Sequence, residues 1–411
     1  MRSPDSVQPQ WAVFRHTPYL IYWLARSLTS FAVQIQVVAL GWQVYDITRN
    51  PLDLGLIGLS QFAPALLLVL VTGAAADRLP RRAIMIATLL VSAAVSAALL
   101  TFTIAGSRQV ALIYVLLVVF GIARAFRGPA VQALLPNIVP PALLSRAIAL
   151  NSSAWQLTTI VGPVAGGLLY GISPVAAYGS ATALLCLAAL LATRIPKPDQ
   201  HSETEPRSWD TILAGFRYIW KEKIVLGALS LDLFAVLVGG AVALLPVYAR
   251  DILEVGPVGL GLLRSSQGIG AVAVALYLAV NPIRDHAGLF LFAFVGVFGG
   301  AIVVFGISEL VWLSVAALII AGGADMISVY IRETLIQLWT PDRLRGRVNA
   351  VNMLFIGASN ELGEFRAGLT AFLIGAKATV IAGGVGTIAI AAVWARLFPE
   401  LRKARHLDGR P

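Results

Sequence analysis

The chain repeatedly runs for about twenty residues or more with few or no charges, then breaks at a short polar turn. A helix of about 20 mostly apolar residues crosses a bilayer core, because it satisfies every backbone polar group within itself. Such runs cover about 19–45, 52–76, 83–105, 109–134, 144–172 and 174–193, then 223–249, 256–280, 287–307, 310–338, 347–374 and 377–398. The expected fold is therefore an all-α polytopic membrane protein with twelve transmembrane helices. Composition agrees. Of 411 residues, 58% are hydrophobic and 13% charged, with a mean hydropathy of +0.81, whereas soluble domains carry roughly 25% charged residues. This excludes a soluble enzyme, a secreted disulfide scaffold and a single-anchor receptor.

One long polar segment, residues 194–222, divides the chain. The expected organisation is a six-helix bundle over 1–193, a cytoplasmic linker over 194–222 with an amphipathic helix near Trp209–Trp220, and a second six-helix bundle over 223–411 with a basic tail. Residues 1–18 are polar and the first apolar run is too long for a signal peptide, so it reads as a retained span. Arginine and lysine set the orientation. Alternate segments, beginning at the N-terminus, hold clusters such as Arg78, Arg81 and Arg82, the linker cations, Arg343, Arg345 and Arg347, and the tail. The opposite side holds Arg49, Arg108, Arg250 and Lys377. Cytoplasmic loops carry this excess, which predicts a multi-pass inner-membrane protein with both termini cytoplasmic. The net charge of +10 is thus topogenic, not a nucleic-acid footprint.

An internal repeat supports the division. Arg127, Gln132 and Pro136 recur as Arg332, Gln337 and Pro341, and Arg146, Asn151, Gly162 and Gly167 recur as Arg347, Asn352, Gly363 and Gly368, each with its spacing kept. We attribute the different offsets of the two series to a loop four residues shorter in the second half. Two homologous bundles place a substrate site between them near the bilayer midplane.

The loop after the second span reads Gly73-Ala-Ala-Ala-Asp77-Arg78-Leu79-Pro80-Arg81-Arg82. It resembles the G-x-x-x-D-R-x-G-R-[KR] signature of the major facilitator superfamily, with Pro80 in place of glycine. The resemblance implies a latch made of Gly73, Asp77, Arg78, Arg81 and Arg82, with Asp77 facing the basic start of the eleventh span near Arg347. An ordinary positive-inside loop would need the arginines but not Gly73 or Asp77. The fourth span carries Arg124, Arg127 and Gly128, similar to that superfamily's R-x-x-x-G motif. Arginine in hydrocarbon faces protein or a wet cavity unless it snorkels to an interface. Gly162-Pro163-Val-Ala-Gly166-Gly167 in the fifth span resembles the G-P-x-x-G-G motif of its antiporters, read either as a rocking element or as a plain tight crossing.

Glu361 and Glu364 share a face of the eleventh span. Two carboxylates close together in low dielectric build a protonatable site, or else pair with Arg366, Arg26 or Arg264. Further charges inside spans are Arg26, Asp232, Arg264, Asp325, Arg332 and Glu333. Proton-coupling candidates are Glu361, Glu364, Asp325 and Asp232; substrate-cavity candidates are Arg26, Arg124, Arg127, Arg332 and Glu333. The superfamily resemblance implies that spans one, four, seven and ten surround the cavity. The patches Gly215-Phe-Arg-Tyr-Ile219 and Thr340-Pro-Asp-Arg-Leu-Arg-Gly-Arg-Val-Asn349 resemble the enterobactin-exporter, or transmembrane secretion effector, branch.

No P-loop is present, and with four histidines and one cysteine no metal site or other cofactor is expected. The expected activity is secondary active export of a small organic molecule, a siderophore-like or other secondary metabolite, by proton antiport. The expected partners are that substrate, protons and the bilayer, with the chain a monomer. Alternatives are a multidrug:H⁺ antiporter, a lipid or lysolipid transporter, and a membrane-embedded lipid enzyme using the carboxylates as acid and base.

Overall fold

The computed structural model describes residues 10–197, 209–283 and 285–404. The linker segment 198–208, Arg284 and the tail from 405 lie outside the described residues. After a 3₁₀ turn at Gln10–Arg15, the first half comprises α1 (Thr17–Thr48), α2 (Pro51–Leu67), α3 (Val69–Arg78), α4 (Arg81–Ile104), α5 (Val110–Ile138), α6 (Pro141–Ile172) and α7 (Pro174–Thr193). The linker helix is α8 (Trp209–Lys221). The second half comprises α9 (Lys223–Gly239), α10 (Leu245–Val247), α11 (Gly256–Val280), α12 (Ala287–Ile307), α13 (Val311–Trp339), α14 (Asp342–Ile374), α15 (Ala376–Leu397) and the short α16 (Pro399–Arg402).

Helix starts follow local chemistry. Pro51 and Pro174 occupy the first turns of α2 and α7, where a missing N–H costs nothing. The preceding Asn50 and Ser173 accept from Leu52 N and Ala176 N at 3.0 and 2.9 Å. Two expected spans are broken. The second, which contains Pro64, stops at Leu67, and Pro51–Leu67 is bent by 61° from Val71–Arg78. The seventh stops at Gly239, and the chain continues through a 3₁₀ turn (Val242–Leu244), α10 and a π-helical turn (Tyr248–Ile252).

Among the described residues, nine helical stretches are apolar and long enough to span a membrane, one of them the interrupted Lys223–Ile252, and the bent α2–α3 pair makes a tenth. The other two expected spans are α6 and α14, of 32 and 33 residues. At 1.5 Å per residue each exceeds the thickness of a bilayer core. Their hydropathy is diluted by residues that face protein, among them the buried Asn151 and Asn352.

The halves mirror each other in packing. Within the first, α1 lies against α6 and α7, and α4 against α5 and α7; within the second, α9 lies against α14 and α15, and α12 against α13 and α15. Two seams join them, α2 with α14 and α6 with α11. Helices α5 and α13 each have 29 residues, and each is followed by a two-residue turn ending in a capping proline, Pro140 or Pro341. This corrects the loop expected from the repeat. The loops are equal in length. It is the Arg–Gln–Pro series that has slid by four residues, one helical turn, between the halves; Pro136 lies within α5 while Pro341 caps α14.

Apolar packing distinguishes the two membrane faces. At the face opposite the linker, here the far face, one cluster joins both halves through residues such as Tyr45, Leu54, Tyr178, Tyr248, Leu260 and Phe305. At the linker face the cores are separate, one around Tyr19, Tyr22 and Leu134 and the other around Leu291, Ile331 and Leu335.

Candidate functional site: a charged cavity between the halves

A cavity of about 470 Å³ lies between the halves. In the first half, α1, α2, α4, α5 and α6 contribute Arg26, Gly58, Gln61, Leu89, Arg124, Arg127 and Trp155 among others. The second half contributes Val242, Ala243 and Pro246 from the broken stretch, Leu260 and Arg264 from α11, and Glu361 and Glu364 from α14.

The two glutamates project together. Both carboxylates approach Gly58 of α2, where an added Cβ would lie 3.0 Å from Glu361 Oε2 and 3.2 Å from Glu364 Oε2. Arg124 reaches Glu361 at 3.6 Å, and Arg264 acts on both carboxylates through space. The pair's arginines are therefore Arg124 and Arg264. Arg366 and Arg26, the other partners considered from sequence, are engaged elsewhere. Arg366 donates to the Val238 carbonyl at 2.7 Å, satisfying backbone released where α9 breaks. Arg26 donates to the Tyr22 hydroxyl at 3.3 Å, which in turn donates to the Val131 carbonyl at 3.0 Å. Arg127 donates to Ser92 Oγ at 3.2 Å.

Four sequence candidates lie outside the cavity lining. Asp232 forms an ion pair with the buried Arg332, whose Nε is 3.9 Å from Glu333, while Asn352 donates to Glu333 at 2.8 Å. These side chains form a cluster within the second half. Arg332 and Glu333 are thus not cavity residues, because Asp232 and Asn352 draw them into their own bundle. Asp325 sits two turns before Arg332 on α13, also outside the lining. The first, fourth and seventh spans border the cavity, the seventh through Val242, Ala243 and Pro246 beyond the α9 break, whereas the tenth, α13, is absent from the lining.

The latch candidates divide by role. Gly73 is buried in α3 and Asp77 lies near its end, with Arg78 exposed. Arg81 donates to the Ala76 and Ala133 carbonyls at 3.2 and 3.0 Å and to Asn137 at 2.7 Å, and Arg82 donates to the Thr193 carbonyl. Both tie helix ends of the first half together. The Arg347 backbone lies under α8, where Gly215 leaves room for close approach; the Tyr218 hydroxyl of α8 donates to the Trp339 carbonyl at 2.7 Å. The fifth-span motif is a two-sided packing element. Gly162 and Gly166 meet Gln34 and Ile35 of α1, Gly167 meets Pro257 of α11, and the Pro163 carbonyl meets Gly261.

A charged cluster at the far face was not singled out from the sequence. Arg49 at the end of α1 pairs with Asp251 at 3.1 Å, Arg250 pairs with Asp46, and the Tyr45 hydroxyl donates to Asp251. The Arg250 guanidinium also stands 5.3 Å from the Trp42 ring centroid. Each pair bridges the halves. The signal was present: Arg49 and Arg250 are two of the few cations on their side, and each has an acid close by at a corresponding span end.

The profile of the transmembrane secretion effector family matches residues 8–410. The chain belongs to that family, within the major facilitator superfamily. Its relatives include enterobactin exporter EntS of Escherichia coli O1:K1 / APEC, 25% identical over 95% of this chain and 94% of that protein. A bacterial homologue of the human lysosomal transporter Spinster, solved inward-facing and unoccupied, superposes with a TM-score of 0.75 at 14% identity, over 95% of this chain and 98% of the other. The human organic anion transporter MFSD10 gives 0.65 at 16% identity, over 94% and 100%. At these identities the solved structures show the fold. The protein is a multi-pass membrane transporter, and the lipid-enzyme alternative is set aside because relatives and fold neighbours are transporters.

Proposed function

We propose that this transporter exports a small organic molecule from the cytoplasm, a siderophore-like or other secondary metabolite, by proton antiport. The observation that carries the reading is the glutamate pair on α14, set in the cavity wall against α2 and faced by Arg124 and Arg264. Protonating either carboxylate frees a guanidinium from its counter-charge, and substrate and proton can then compete for one site. The broken α2–α3 and α9 stretches border that site, and the seams beside it are the surfaces on which two bundles would rock. The far face is held by the merged apolar core and the four-charge cluster, so the cavity is reached from the linker face, which the arginine bias makes cytoplasmic. Residues 1–193 and 223–411 act as the two moving bodies, 194–222 as their tether, in a monomer of the inner membrane. The similarity to enterobactin exporters supports outward transport of a metabolite.

The test is an untargeted comparison of metabolites inside and outside cells with and without the protein. We expect an organic compound to accumulate outside with the wild type. Glu364→Gln, inserted at equal level, should abolish that accumulation, as should a protonophore. Undiminished export by Glu364→Gln removes the residue from coupling, and accumulation inside the cell reverses the direction. Release of chemically unrelated cations favours the multidrug alternative.

A further inference from the structure

The cavity's charges are unevenly matched. Four arginines and two glutamates line it. The glutamates interact with Arg124 and Arg264, on the side facing α14. Arg26 and Arg127 line the cavity from the first half, Arg127 one turn along α5 from Arg124, and among the described residues neither meets a carboxylate; they donate to the Tyr22 and Ser92 hydroxyls. Arg26 is tied to α5, the helix that carries Arg127, through the Tyr22 hydroxyl, which donates to the Val131 carbonyl. Uncompensated cations in a partly dry site are costly, and guanidinium groups match carboxylate, phenolate or phosphate oxygens through paired N–H donors. Beside them the wall turns apolar, with Met85, Leu89 and Trp155.

We infer that Arg26 and Arg127 form an anion subsite, and that the transported substrate is an organic anion whose charged group binds there while an aromatic or apolar body lies against Met85, Leu89 and Trp155. The inference rests on the cavity being the transport site. Its geometry separates two tasks: one arginine pair serves the glutamates, and the other serves the substrate. A cationic substrate would meet Arg26 and Arg127 as repulsion.

The test uses the full-length protein in nanodiscs and three probes of one shape: 2-naphthoate, 2-naphthamide and 2-naphthylmethylamine. Calorimetric titration should show naphthoate bound about tenfold or more tightly than the amide, with the preference shrinking as salt rises. Arg26→Gln and Arg127→Gln should each bring the two affinities close together, by weakening naphthoate far more than the amide. Arg127→Lys should keep much of the preference, and Arg108→Gln, in an exposed far-face loop, all of it. Equal wild-type affinities, preference for the amine, no saturable naphthoate binding, or a preference that survives both glutamine variants would each overturn the inference. The wild-type comparison needs no variant to fold. A retained naphthoate preference with no metabolite moved in cells would sink the export reading alone; export of a cation without naphthoate preference would sink the subsite alone.

Discussion

The two halves are built alike and charged differently. Counting back from the capping prolines Pro140 and Pro341, Arg124 of α5 corresponds to Asp325 of α13, Arg127 to Ser328, and Val131 to Arg332. The α5 arginines face the cavity, whereas Arg332 is closed inside its own bundle by Asp232 and Glu333. A repeat thus preserves helix lengths and seams while moving the arginine by one turn. The difference in register separates a cation available to a ligand from one committed to the fold.

The largest effect should come from breaking the committed cluster. The Arg332 and Asp232 side chains are 4% and 12% exposed, and removing Asp232 leaves the buried Arg332 with only the more distant Glu333, 3.9 Å away and already bonded to Asn352. Asp232→Ala should cost about 3–5 kcal/mol, seen as a marked fall in the thermal unfolding midpoint in detergent and in lower yield. Arg127→Gln should move that midpoint far less, because its partners are a hydroxyl and the cavity. Equal losses at the two sites would break the contrast.

The twin seams allow a finer comparison. In one, an added Cβ at Gly167 would lie 2.5 Å from the Pro257 carbonyl oxygen; in the other, Gly368 would meet that of Pro51 at 2.8 Å. Each seam sets a glycine against the first-turn proline of the opposing helix. Gly167→Val and Gly368→Val should each cost about 1–3 kcal/mol by overpacking, with similar falls in unfolding midpoint. A large loss at one and none at the other would show that the seams are not equivalent in energy.

This symmetry was legible because it is written in spacing: Gly167 and Gly368 fall at matching positions, and the polar α6 and α14 read as spans from their length and flanking turns. Pairing was less legible. Six arginines inside spans look alike in a string of letters, and which meets an acid depends on how helices cross. Arg366 lies two residues from Glu364 and still points to the Val238 carbonyl, because α9 ends there and leaves that oxygen unsatisfied. The missing α13 wall was no more legible, since Arg332 on that helix is held within the second half by Asp232 and Glu333.

The smallest effect belongs to the far-face cluster, where charges of the two halves meet outside the cavity. Asp46, Arg49 and Asp251 are partly exposed, with side-chain accessibilities of 46%, 54% and 38%, and ion pairs in such settings contribute about 1 kcal/mol or less. Asp251→Asn weakens the contact with Arg49 and changes the acceptor of the Tyr45 hydroxyl, leaving the merged apolar core intact. The far face should therefore open by up to about fivefold in population, and raised salt should produce part of the same shift. Spin labels at positions 108 and 309, in far-face loops of opposite halves, read this in a Cys186→Ala background as growth of a longer-distance component. An unchanged distance distribution would assign closure to the Tyr45–Tyr248–Phe305 core alone and leave the four charges without a gating role. A shift of the stated size would make each half's charged rim a device for holding the other, in contrast to the arginines that each half keeps for itself.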